Sequence, residues 1–167
     1  MNFNKLTIGV IGMGYVGLPL AVEFSKKLNV IGFDIDSNRI NELKKKIDIT
    51  NELKKKELSS LKKISFTTNL ENLKNCKIFI ITVPTPVNSQ NKPDFGPLFK
   101  ATKIISGILK KNDIVIYEST VFPGATEEVC GPILEKKSGL KINKNLFLGY
   151  SPERINPGDK QKRIKDI

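Results

Sequence analysis

Residues 6–17 read Leu6-Thr7-Ile8-Gly9-Val10-Ile11-Gly12-Met13-Gly14-Tyr15-Val16-Gly17, a strand-like apolar run that breaks on spaced glycines and continues as an apolar helix. No other stretch restricts the fold so strongly. A strand can feed directly into a helix only through a tight turn, and Gly12 has the backbone freedom that such a turn requires. Gly14 leaves the main chain open to close approach by a pyrophosphate, and Gly17 lets the helix pack against the strands. The free N–H groups and positive dipole end of that helix then face the phosphates. Asp34 closes the next apolar run, 22 positions beyond Gly12 (34 − 12). That is close to the spacing of about 20 at which a carboxylate takes ribose hydroxyls in a dinucleotide site. A 2′-phosphate there would meet like charge, so the expected cofactor is NAD rather than NADP.

The glycine triplet alone is weak evidence, because it also occurs in flexible loops and in tight turns of nucleotide-free α/β domains. A simple tight turn would not need Asp34. Strand, glycines, helix, second strand and acid in that order are what make the site specific.

A chain of 167 residues fits one domain with a sizeable core. The longest apolar runs are strand-sized, and the N-terminus lacks a basic segment followed by a long apolar one, so neither a signal peptide nor a transmembrane helix is expected. Cys76 and Cys130 match no metal spacing and no disulfide framework, which suits a reducing, cytoplasmic setting. The net charge of +11 reflects bunched lysines at Lys44 to Lys46, Lys54 to Lys56, Lys62 and Lys63. Glu42, Glu52 and Glu57 are interspersed and no aromatic residue lies between Lys44 and Lys63 to stack a base. The stretch therefore reads as a solvated helical face rather than a nucleic-acid surface.

Strands and helices alternate along the chain. A helix over about 15–27 is followed by a strand from Val30 to Asp34, and Asp36-Ser37 can cap a helix starting near Asn38. Ile64 to Thr67 is a short strand, and Asn69 caps the turn Leu70 to Leu73. The run from Lys77 to Val83 is apolar on both faces, as in a buried strand. A proline-rich loop extends from Val83 to Gly96. A helix from Pro97 to about Leu109, a strand from Asp113 to Tyr117, a helix over 124–136 and a short strand from Leu146 to Gly149 complete the order. This alternation predicts an α/β fold of Rossmann type, a doubly wound and mainly parallel sheet with helices on both faces.

Ligands of such sheets bind outside the C-terminal strand ends, near the point where the strand order reverses. Those ends carry Gly12 to Gly17, Asp34, Thr82 to Pro86, Glu118 to Thr120 and Tyr150 to Arg154. Each is polar or glycine-rich where its apolar run stops.

Four of these segments read Gly-Tyr-Val-Gly-Leu-Pro (14–19), Val-Pro-Thr-Pro (83–86), Glu-Ser-Thr-Val-Phe-Pro-Gly-Ala-Thr (118–126) and Ser-Pro-Glu-Arg-Ile-Asn-Pro-Gly (151–158). Together they closely resemble the N-terminal domain of the UDP-glucose/GDP-mannose dehydrogenase family over Leu6 to Lys160, and the Ser-Pro-Glu-Arg form resembles its UDP-N-acetylhexosamine branch. The resemblance implies oxidation of a nucleotide sugar's C6 hydroxyl to a carboxylate by two successive hydride transfers to NAD, in the supply of polysaccharide precursors. It implies that Gly12, Gly14, Tyr15, Val16 and Gly17 hold the pyrophosphate, and that Asp34 and Arg39 hold the adenosine ribose. Arg39 otherwise reads as an exposed helix arginine. Pro84 and Thr85 would lie along the nicotinamide half. Thr120 would help position water near the reacting carbon, and Glu153 would assist proton handling and thioester hydrolysis. From the residues alone, Thr120 reads as a helix-start hydroxyl before Pro123, and Glu153 as an ion-pair partner of Arg154. Some relatives carry a second glutamate where this chain has Pro157.

Oxidation of an aldehyde to an acid through a covalent intermediate needs a thiolate that attacks the carbonyl, and the resemblance implies a cysteine from a later domain. Cys76 precedes its strand, and about six residues at roughly 3.3 Å each separate it from the ligand edge. Cys130, between Val129 and Ile133 in a helix, reads as a small buried apolar residue. Residues 1–167 are thus expected to be a single NAD-binding domain, the N-terminal fragment of a longer, oligomeric enzyme, which binds NAD without turnover. No metal site is expected. A β-hydroxyacid dehydrogenase would share the first half of this architecture but would not explain Val-Pro-Thr-Pro and Ser-Pro-Glu-Arg together. A nucleotide-sensing regulatory domain would leave the polar strand ends unused. The lactate/malate type is disfavoured because the chain has no histidine to act as base. The short-chain type is disfavoured because Tyr150 is followed four positions later by Arg154 rather than lysine.

Overall fold

Runs that are apolar on both faces, such as Ile78–Ile81, need cover on two sides. The computed structural model, which describes residues 6–87 and 89–152, provides it with one six-stranded sheet between two helical layers. The strands are β1 (Thr7–Ile11), β2 (Asn29–Phe33), β3 (Ile64–Thr67), β4 (Ile78–Ile81), β5 (Asp113–Tyr117) and β6 (Leu146–Tyr150). Their spatial order is β3-β2-β1-β4-β5-β6, and each neighbouring pair is parallel. The chain winds outward from β1 to β3, returns, and winds outward from β4 to β6. The strand order therefore reverses between β1 and β4, which makes that the switch point of the expected doubly wound fold.

Helices α1 (Gly17–Ser25), α2 (Ser37–Lys44) and α3 (Lys55–Ser59) cover one face, while α4 (Gly96–Ser106) and α5 (Gly131–Ser138) cover the other. Ile8, Val10 and Ile80 pack with Leu18 and Val22 of α1, Ile40 and Leu43 of α2 and Leu58 of α3. Ile11, Phe79, Ile81 and Val115 pack with Leu98 and Ile105 of α4 and Leu134 of α5. The period-two alternation of a strand sends Ile80 one way and Phe79 and Ile81 the other.

The short polar signals act where they are expected. Asp36 Oδ1 accepts from the Asn38 N–H at 2.8 Å, and Asn69 Oδ1 accepts from the Glu71 N–H at 3.0 Å. Two expectations need correction. The lysine-rich stretch is not one helix: α2 stops at Lys44, and Lys46 and Asn51 adopt φ of 62° and 57° before α3 begins. Between them, the Asp48 carboxylate takes the N–H groups of Thr50 and Leu53, a local alternative to helical hydrogen bonding. The helix expected over 124–136 instead opens with a π-helical turn, Ala125–Cys130, and continues as α5. Pro132 in the first turn of α5 has no N–H to donate and would crowd the preceding turn, so the chain widens before it.

Candidate functional site

The parallel ladders run one step beyond the strands and set the next residues side by side. Gly12 donates to the Phe33 carbonyl (2.8 Å), Asp34 to Thr67 (3.2 Å), Thr82 to Ile11 (2.9 Å), Glu118 to Ile81 (2.9 Å) and Ser151 to Tyr117 (3.0 Å). The described residues of the polar strand ends picked out in the sequence thus lie along one edge of the sheet, with the glycine turn at the switch point.

Gly12 has φ 100°, a conformation that disfavours any side chain. A Cβ at Gly17 would lie 1.8 Å from the Gly12 carbonyl oxygen and 2.4 Å from Thr82 Oγ1. Helix α1 therefore rests directly on the turn. A Cβ at Gly14 would meet nothing within 4 Å among the described residues, so the main chain there is open to a ligand. No side chain caps the start of α1, which leaves its dipole end for an anion. Tyr15 is half exposed and Val16 half-buried. Open backbone, close helix packing and an uncapped helix start together fit a pyrophosphate.

Asp34 is half-buried and fixed through both carboxylate oxygens. Oδ2 accepts from the Met13 N–H at 2.7 Å, and Oδ1 accepts from the Asp36 N–H at 3.0 Å. Each oxygen keeps a lone pair, so a carboxylate aimed from the end of β2 remains able to accept hydroxyls. Arg39 is not an exposed helix arginine. It is 6% exposed, its Nε donates to the Met13 carbonyl at 2.7 Å, and its Nη2 donates to Asp48 at 2.8 Å.

Across the switch point, the loops after β4 and β5 are tied together. Ser119 Oγ donates to the Val83 carbonyl at 2.6 Å, and Thr85 Oγ1 donates to the Thr120 carbonyl at 2.9 Å. Thr120 is exposed beside exposed Pro84 and half-buried Thr85. The helical segment that follows starts at Ala125 without a side-chain cap, so Thr120 is not a helix-start hydroxyl. Thr82 Oγ1 donates to the carbonyls of Ile11 and Gly12, both at 2.9 Å, and so pins the glycine turn to the end of β4.

The profile of the UDP-glucose/GDP-mannose dehydrogenase family, NAD binding domain, matches residues 6–166. The chain belongs to the UDP-glucose/GDP-mannose dehydrogenase family. UDP-N-acetyl-D-glucosamine 6-dehydrogenase of Pseudomonas aeruginosa is 58% identical over 164 residues, 98% of this chain and 39% of that protein. The solved UDP-D-ManNAc dehydrogenase of Pyrococcus horikoshii superposes with TM-score 0.82 at 34% identity, over 92% of this chain and 37% of that one. GDP-mannose dehydrogenase from Pseudomonas aeruginosa, solved as a ternary complex, superposes with TM-score 0.84 at 25% identity, over 95% and 38%. The chain thus spans about two-fifths of the length of its relatives, and it is the family's NAD-binding domain.

Both cysteines of this NAD-binding domain are buried and free. Cys76 sits below the opposite edge of the sheet, where its N–H bonds the Leu73 carbonyl at 2.9 Å. Burial and the nearby Asp113 charge push its thiol up to about 12. Burial also pushes up the thiol of Cys130, which lies beneath a buried bridge between Thr102 Oγ1 and the Tyr117 hydroxyl (3.1 Å). Neither is a ready thiolate. Glu153 and Arg154 lie outside the described residues. Sequence reasoning gave no role to Thr82, Ser119 or Asp48. Thr82 and Ser119 were visible as hydroxyls at strand ends, whereas Asp48 lay hidden in a lysine-rich segment. No helix among the described residues is long and apolar enough to cross a membrane.

Proposed function

We propose that this domain is the N-terminal, NAD-binding part of a longer enzyme that oxidises the C6 hydroxyl of a UDP-N-acetylhexosamine to the uronic acid. The product would serve polysaccharide precursor synthesis. The observation that carries the reading is the 58% identity, across 98% of the chain, with UDP-N-acetyl-D-glucosamine 6-dehydrogenase. Two free, buried cysteines suit work in the cytoplasm, and the whole protein is proposed to act as a homo-oligomer.

In this reading Gly12, Gly14, Tyr15, Val16 and Gly17 bind the pyrophosphate, where no side chain obstructs Gly14. Asp34 accepts from the adenosine ribose hydroxyls, and Arg39 steadies that end of the turn through Met13. Pro84 and Thr85 bound the nicotinamide half. Thr120, held beside Thr85 by its own carbonyl, orients water toward the reacting carbon, and Glu153 moves protons. NAD, when bound, supplies the hydride acceptor. An aldehyde-to-acid half that runs through a covalent thioester requires a thiolate, and the buried thiols of Cys76 and Cys130 do not supply it, so the nucleophile belongs to the rest of the enzyme.

The experiment is a substrate panel on the whole protein: UDP-N-acetylglucosamine, UDP-N-acetylgalactosamine and UDP-glucose, with NADH counted per sugar consumed. Two NADH per UDP-N-acetylhexosamine and little with UDP-glucose are expected. A clear preference for UDP-glucose overturns the substrate assignment, and formation of the uronic acid, at two NADH per sugar, by the 167-residue chain alone overturns the assignment of the nucleophile elsewhere.

A further inference from the structure

Asp48 lies outside the glycine turn and the strand ends, yet it grips Arg39, which touches the glycine turn. We infer that Asp48 reinforces the preference of this domain for NAD by holding and neutralising the Arg39 guanidinium behind the glycine turn. The inference rests on the NAD-binding reading of the turn.

An arginine close to the ribose-binding acid is the arrangement that accommodates a 2′-phosphate, and an arginine is always charged. Arg39 is placed for that role. It contacts the carbonyl of Met13, and the N–H of the same residue goes to Asp34. What differs here is that its charge is already answered. The Asp48 side chain is fully buried and lies 2.8 Å from Arg39 Nη2. Its own loop fixes it first, through the Thr50 N–H (3.1 Å), Thr50 Oγ1 (2.6 Å) and the Leu53 N–H (2.9 Å). Burial opposes its charge, but those hydrogen bonds and Arg39 outweigh it and hold the carboxyl below the usual carboxylate range. The remaining Arg39 nitrogen, Nη1, is buried with no hydrogen-bond partner among the described residues, 3.9 Å from Glu42 Oε2. A 2′-phosphate would have to compete with a preorganised carboxylate for a guanidinium whose Nε is also in use. Asp34 repels that phosphate directly, and Asp48 removes the cation that would otherwise attract it.

The test is titration calorimetry of the 167-residue chain with NAD and with NADP, read as the ratio of the two dissociation constants. Asp48→Asn keeps the shape and removes the charge. The ratio of the NADP constant to the NAD constant should fall about tenfold, as expected for one unit charge acting over several ångströms at intermediate dielectric. Asp48→Ser removes the same charge and serves if the Asn variant does not fold. Asp48→Glu should keep the wild-type ratio, and Arg39→Met combined with Asp48→Asn should restore it. A purely structural Asp48 would weaken both cofactors alike, and an unchanged ratio in the folded neutral variants overturns the inference. Loss of NAD binding by the wild-type chain would instead overturn the dinucleotide reading, and this inference with it.

Discussion

Gly17→Ala and Gly14→Ala separate the two duties of the glycine turn. At Gly17 the new methyl would stand 1.8 Å from the Gly12 carbonyl oxygen and 2.4 Å from Thr82 Oγ1. A carbon needs roughly 3.3 Å from such an oxygen, so α1 must retreat by about 1.5 Å. Neither obstacle can swing aside easily: one is backbone, and Thr82 Oγ1 is held by two carbonyls. Overpacking of this kind costs about 1–3 kcal/mol, and the N-terminus of α1 moves off the phosphate position at the same time. Gly17→Ala should therefore lower stability by that amount and weaken NAD together. At Gly14 the methyl meets nothing within 4 Å, so stability should stay within about 0.5 kcal/mol. It would occupy the space where the pyrophosphate approaches, and NAD affinity should fall at least about tenfold, roughly 1.4 kcal/mol. Urea unfolding gives the first quantity and titration calorimetry the second. Equal destabilisation by the two variants, or unchanged NAD binding in Gly14→Ala, would refute the division of labour.

Thr82→Val keeps the volume and removes the hydroxyl that reaches the Ile11 and Gly12 carbonyls. It should cost about 1–2 kcal/mol by urea unfolding and weaken NAD modestly, because the turn loses its tie to β4. Asp113 is buried and accepts from Lys77 Nζ and the Lys110 N–H at the far edge of the sheet. Asp113→Ala should therefore destabilise by about 2–3 kcal/mol while leaving the NAD:NADP affinity ratio unchanged. Asp48 has a folded-state pKa below its unfolded value, so its stabilising contribution is complete above the unfolded pKa of about 3.9 and is lost as pH falls through the folded value. Urea midpoints measured on the acid side should drop more steeply for the wild type than for Asp48→Asn, and parallel slopes would contradict this. Cys76 and Cys130 are buried and should react with a thiol reagent at the rate of unfolding. Fast labelling of either in the native state would refute the burial.

The parts of this molecule that depend on neighbours in sequence were legible before the structure. The uninterrupted run around Ile78–Ile81 marked a strand covered on both faces, and Gly12, Gly14, Gly17 and Asp34 marked the tight turn and the acid that stand at the switch point. Asp36 and Asn69 announced the helical turns they cap. What escaped depends on contacts distant in sequence. Thr82 bonds residues about 70 positions away, and nothing near it in the chain hints at that. Asp48 and Arg39 are nine positions apart but belong to different local structures, one to a loop and one to α2. Lysines 44–46 and 54–56 resembled a single polar helix because charge pattern does not register a positive φ at Lys46 or Asn51. The wide turn before α5 follows from Pro132, whose effect on the turn preceding it outweighed a helical composition.

The central claim is that the glycine turn and Asp34 together form an NAD site that discriminates against a 2′-phosphate. Titration calorimetry of the wild-type chain and of Asp34→Asn with NAD and NADP tests it most directly. Saturable NAD binding by the wild type, much weaker NADP binding, and a marked reduction of that discrimination in Asp34→Asn are the results predicted. Absence of heat with NAD, or tighter binding of NADP by the wild type, would contradict it.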